Sequence, residues 1–122
     1  MVSFLDDVAK ITCWIHLDCL KVAKTAFNAE KPAWVVFIPG PPRRVCFAIL
    51  LMYRPAIKEI RYSVGSDAVD QTFKFKPTDK MMTIDDIPSI DQCMVIPNET
   101  QFVSVQVIYG DGTKSAVRKY SN

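Results

Sequence analysis

The sequence predicts an α+β chain with one domain over residues 1–122, in which an N-terminal amphipathic helix packs on an antiparallel β-sandwich of about seven strands. Three observations lead there. Residues 1–31 contain neither glycine nor proline, whereas all eight prolines and all four glycines fall from Pro32 onward. Apolar residues of the first third gather on one arc when stepped at about 100° per residue. The last third carries a long alternating run closed by Gly110-Asp111-Gly112, which is hairpin chemistry.

The helical segment is expected over residues 1–31. Phe4, Leu5, Val8, Ile11, Ile15, Cys19, Val22, Ala23, Ala26 and Phe27 form its apolar arc, opposite Asp6, Asp7, Lys10, Asp18, Lys21, Lys24, Thr25 and Asn28. Ser3 suits the N-cap, and Asp6 and Asp7 suit the positive end of the dipole. Pro32 stops the helix, because proline disfavours helical geometry in the residue before it. The alternation of Ile11, Cys13, Ile15 and Leu17 leaves a strand as the alternative for that stretch.

The strands follow between turn signals. Residues 33–38 form the first, ended by Pro39-Gly40-Pro41-Pro42. Residues 45–53 are almost continuously apolar and read as a central strand covered on both faces. Residues 57–64 alternate, with Ile60, Tyr62 and Val64 on one side and Glu59, Arg61 and Ser63 on the other. After Gly65-Ser66-Asp67, residues 72–76 point Phe73 and Phe75 inward and Lys74 and Lys76 outward. Met81, Met82 and Ile84 suggest a short strand, and Ile87 and Ile90 are expected to anchor a loop in the core. Residues 93–96 read as an edge strand closed by Pro97. Residues 102–109 place Val103, Val105, Val107 and Tyr109 inward, and residues 113–120 return as the partner strand. The Tyr109-Gly110-Asp111-Gly112-Thr113 hairpin resembles the last hairpin of many immunoglobulin-like modules. That resemblance implies a style of fold and carries no functional residue with it.

Composition narrows the function classes. The chain has 122 residues, is 49% hydrophobic and has a net charge of +2. It can therefore build a core, and its charge does not by itself call for a nucleic acid or a membrane. Its most apolar run is shorter than the roughly 20 residues needed to cross a bilayer. The acidic N-terminus lacks the features of a signal peptide, so a cytoplasmic location is expected. Cys13, Cys19, Cys46 and Cys93 match no common disulfide framework and read as reduced core residues. Asn98-Glu99-Thr100 reads as a chance match to a glycosylation sequon.

Catalytic signatures are weak. His16 is the one histidine, and it lies within the apolar arc, away from substrate, so a Cys13–His16 dyad is disfavoured. Cys13, His16 and Cys19 follow no common zinc spacing. Asp85, Asp86 and Asp91, with Glu99 nearby, lack the calcium-loop pattern. No glycine-rich phosphate loop occurs. No metal, cofactor or catalytic residue is assigned. Arg43, Arg44, Arg54, Lys58 and Arg61 surround two strands, but alternation removes Phe73 and Phe75 as stacking platforms for single-stranded nucleic acid.

The function expected is a non-catalytic interaction module that binds a protein or glycan partner or self-associates, possible as an accessory domain of a larger protein. Its candidate binding residues are Trp14 and Leu17, which sit on the polar arc one turn apart, beside Lys21. A fold of the same chain over these two residues is the alternative. A small enzyme near His16 or the 85–91 loop and a single-stranded nucleic-acid binder are the competing functions.

Overall fold

The structure, a computed structural model, describes residues 18–28, 33–76 and 87–121. They form two antiparallel sheets, of three and four strands, with short helices at one end. The arrangement is sandwich-like. The elements are α1 (Asp18–Phe27), β1 (Val36–Ile38), β2 (Arg44–Cys46), α2 (Ala48–Leu51), a 3₁₀ turn (Arg54–Ala56), β3 (Ile57–Val64), β4 (Gln71–Phe73), α3 (Ser89–Gln92), β5 (Cys93–Val95), β6 (Phe102–Tyr109) and β7 (Arg118–Ser121). The strand orders are β1-β2-β5 and β4-β3-β6-β7.

Strands β3 and β6 form the longest ladder, from Ile57↔Tyr109 to Val64↔Val103. Alternation sends Val103, Val105, Val107 and Tyr109 to the inner face, where all four are buried. Ile60, Val45, Phe47 and Phe73 meet them there, and the Phe47 and Phe73 rings lie 4.6 Å apart. Ser63, on the other side of β3, is also buried. Its hydroxyl donates to the Ser66 carbonyl and accepts from the Val69 amide at 3.1 Å, which folds residues 65–70 back over the strand.

Helix α1 closes one end of the sandwich. Leu20, Ala23 and Phe27 are buried, a stripe at i, i+3 and i+7. Phe27 packs edge-on against Tyr53 and Trp34 and stacks on Tyr109, with centroids 5.2–6.2 Å away. The Trp34 indole N–H donates to the Phe27 carbonyl at 3.2 Å. Lys24 reaches Asp111 in the β6–β7 turn at 2.8 Å and lies over the Tyr109 ring.

Several expectations need correction. Ala23 and Phe27 of the expected arc are buried, but Val22, placed on that arc, is 55% exposed and Leu20, outside it, is buried, so the buried stripe is rotated by part of a turn from the expected one. Helix α1 ends at Phe27, before Pro32, where the Asn28 amide and side chain both donate to the Lys24 carbonyl. Residues 1–17, with the strand alternative at 11–17, and residues 81–84 lie outside the described residues.

Residues 45–53 do not form one strand. Strand β2 ends at Cys46, and residues 48–51 make a helical turn closed by Leu51 N–H to Phe47 O and Met52 N–H to Ala48 O. An apolar run lacks the polar spacing that distinguishes a buried strand from a buried helix. Ala48, Leu50 and Leu51 are good helix formers, and all three are buried. The return of the hairpin is also shorter than expected. After a single bridge at Ile108↔Lys114 the chain leaves the ladder, and β7 begins at Arg118. Ser115 causes the break: its hydroxyl, rather than its carbonyl, accepts from the Val107 amide at 2.9 Å.

Two tests follow from this packing. Val105 is fully buried, so Val105→Asp places an unpaired charge in the core and should cost more than about 4 kcal/mol. A melting curve like that of the wild type would contradict the assigned register. The Lys24 ammonium, followed by the Thr113 hydroxyl and amide, holds the Asp111 carboxyl well below the usual carboxylate range. A depressed folded value contributes stability above the unfolded value of about 3.9 and loses it as pH falls through the folded value. Acid below about pH 4 should therefore loosen the α1 contact, seen in the near-ultraviolet signal of Trp34, whereas Asp111→Asn should flatten that limb. An identical acid limb in both proteins would contradict the contact.

Candidate functional site

Pairing parity sorts the faces of the three-stranded sheet. Cross-strand partners share a face, and alternate residues change face. Phe37, Val45 and Met94 are partners in one row, and they turn into the core. The rows Val36–Cys46–Cys93 and Ile38–Arg44–Val95 therefore face outward. On that outer face Val36 is 51% exposed and Val95 is 65% exposed.

The same face holds a disulfide between Cys46 and Cys93. Phe47 N–H donates to Gln92 O and Ile96 N–H donates to Arg43 O, which makes the pairs on either side of 46↔93 alternate around it. Cys46 and Cys93 thus occupy a non-hydrogen-bonded pair, where directly opposed side chains come closest. Their Cα atoms are 3.9 Å apart. The expectation that these two cysteines are reduced core residues is corrected. Their contact depends on the β2–β5 register, which joins residues 47 apart in sequence. Cys13 and the side chain of Cys19 lie outside the described residues.

An open cleft of about 820 Å³ lies at the end of the sandwich opposite α1. Pro39, Gly40, Pro41, Arg43, Asn98, Thr100 and Gln101 line it. A Cβ at Gly40 would come within 2.4 Å of the Arg43 backbone nitrogen, so only glycine allows this tight approach of the proline loop. Arg43 ties the two walls together, since one terminal nitrogen donates to the carbonyls of Asn98 and Thr100. Its guanidinium lies 5.6 Å from the centre of the Phe37 ring.

A second, smaller cavity of about 360 Å³ is lined by Arg54, Phe73, Lys74, Phe75, Lys76, Asp91 and Cys93. Phe73 is buried and Phe75 packs on the core, while Lys74 and Lys76 are exposed. The aromatic rings here are core and not platforms for bases.

Of the residues expected to bind, Lys21 is exposed on α1, and Trp14 and Leu17 lie outside the described residues. His16, Asp85 and Asp86 also lie outside them, and Asp91 is exposed. Among the described residues, no group of three or more His, Cys, Asp or Glu side chains could hold a metal ion. No described helix is long and apolar enough to cross a membrane. The sequence reading missed the outer-face valines and the cleft. Val36 and Val95 share a face only through β2, which separates them, and residues 39–43 meet 98–101 only through the β2–β5 register.

The chain matches no protein-family model, no curated protein and no solved structure.

The disulfide closes a loop across a sequence separation of 47, for which chain entropy gives about 4 kcal/mol of stabilisation. Replacing both Cys46 and Cys93 by alanine should lower the urea midpoint accordingly. An unchanged midpoint would show that the bond does not constrain the unfolded chain.

Proposed function

We propose that this chain is a non-catalytic interaction module that binds a protein partner through the outer face of the β1-β2-β5 sheet. The observation that carries this reading is the exposure of Val36 and Val95 at the two edges of one face, with Ile38, the exposed Arg44 and the disulfide completing it. A sheet whose inner side is sealed in a core has no internal use for apolar side chains on its outer side, and such patches favour contact with another protein. A protein partner is favoured over a glycan or a single-stranded nucleic acid. The large apolar side chains exposed among the described residues are all valines, which offer no ring for stacking.

We read the sandwich as immunoglobulin-like in style, with about seven strands. Support comes from the strand orders 1-2-5 and 4-3-6-7, with non-sequential neighbours in both sheets. Trp14, Leu17 and Lys21 are proposed as a second docking patch. The Cys46–Cys93 bond supports an oxidising compartment in place of the cytoplasm, because structural disulfides are rare in the cytosol. An accessory role beside a larger partner fits such a module.

The test is affinity capture from the native source with the wild type and with Val36→Asp/Val95→Asp. Both positions are exposed, so the double variant should melt within about 0.5 kcal/mol of the wild type per site. A partner identified with the wild type should lose roughly tenfold or more in affinity for the variant and keep its affinity for Lys58→Glu, altered on the other sheet. Equal retention by all three proteins would refute the docking face.

A further inference from the structure

We propose that the loop-end cleft is a carboxylate-binding subsite centred on Arg43 and Thr100. The inference rests on the proposed function only for the source of that carboxylate, a protein partner seated on the adjoining sheet face. Ile38 and Arg44 of that face directly flank the loop of residues 39–43 that forms one cleft wall.

The guanidinium of Arg43 is held in place before any ligand arrives. One terminal nitrogen is engaged by the Asn98 and Thr100 carbonyls, and the Phe37 ring lies beside the plane. Those partners are neutral, and no carboxylate among the described residues pairs with Arg43. Its Nε is buried without a hydrogen-bond partner. The Thr100 hydroxyl is also buried without a partner, on a residue only 8% exposed. A buried polar group left unpaired costs about 1–3 kcal/mol, and native structures retain few of them. Here two unpaired donors belong to residues that line one cleft.

The remaining donors select the ligand. With one terminal nitrogen occupied, the edge formed by Nε and the second terminal nitrogen has no hydrogen-bond partner, and a ligand engages it by displacing the groups that cover Nε. That planar two-donor edge matches the two oxygens of a carboxylate. The Thr100 hydroxyl supplies a further donor. Arg43 is the one ionisable residue among those lining the cleft, so a single negative charge is neutralised there and a phosphate dianion is not.

The experiment is a nuclear magnetic resonance titration of the intact chain, following the Arg43 Nε–H and the Thr100 amide. The probes are acetate, acetyl-glycine as a chain-terminal carboxylate, acetyl-glutamate amide as a side-chain carboxylate, inorganic phosphate and neutral acetamide. Saturable shifts with the carboxylates are expected, and the tighter of the two amino-acid probes identifies the carboxylate source. Affinity should fall roughly tenfold in Arg43→Lys and about threefold in Thr100→Val. Thr100→Val loses no existing hydrogen bond, so it tests the site even if Arg43→Lys disturbs the cleft walls. Equal shifts with acetamide, tighter binding of phosphate than of acetate, no saturable shift, or unchanged affinity in Thr100→Val would each overturn the proposal. A failed titration beside a partner that still needs Val36 and Val95 removes this subsite and leaves the docking face standing.

Discussion

The paired backbone of β3 and β6 sets the position of everything else. Every inward residue of β6 in this ladder is buried, with Val103, Val105 and Val107 fully so. Burying each such side chain is worth on the order of 1.5–3 kcal/mol. A one-residue slip would turn the whole row outward, so the ladder has one acceptable register. The row Phe37–Val45–Met94, turned into the core against that ladder, fixes the orientation of the three-stranded sheet. It leaves Val36, Ile38 and Val95 on the other side.

The two ends of the sandwich differ in chemistry. At one end Phe27 inserts among Trp34, Tyr53 and Tyr109, and the Lys24–Asp111 ion pair lies at the surface above them. Burial raises the Tyr109 hydroxyl above its ordinary pKa, opposed by the nearby Arg118 charge. That end is a packed closure. At the other end the proline loop and residues 98–101 stand apart, joined by the hydrogen bonds of Arg43. The disulfide lies between the two strands that support this cleft and ties β2 to the edge strand β5. An edge strand has one hydrogen-bonded neighbour, so a covalent link to that neighbour helps to keep both the outer face and the cleft wall in place.

How far the sequence could be read depended on whether the signal was local. Alternation placed β3 over residues 57–64 and β6 over residues 102–109, because a period of two directly reports a half-buried strand. The Gly110-Asp111-Gly112 turn was equally local, and Gly112 adopts a φ of +86°. Residues 48–51 were misread because uniform apolarity carries no period. Ser115 was read as an ordinary strand residue because the substitution of its hydroxyl for its carbonyl leaves no trace in the hydrophobic pattern. The disulfide, the valine face and the cleft depend on pairings between distant segments, which residue spacing along the chain does not contain. Trp14 and Leu17 were singled out by helical spacing alone, and Lys21 is the member of that group with a described, exposed position.

Amide hydrogen exchange, followed residue by residue under native conditions, tests the role of the β3–β6 ladder most directly. The hydrogen-bonded amides of these two strands should exchange slowest and only through global unfolding, with the short β1 and β4 edges opening at lower free energy. Exchange in β3 and β6 that is as fast as in those edges would contradict the ladder's place at the centre of the fold.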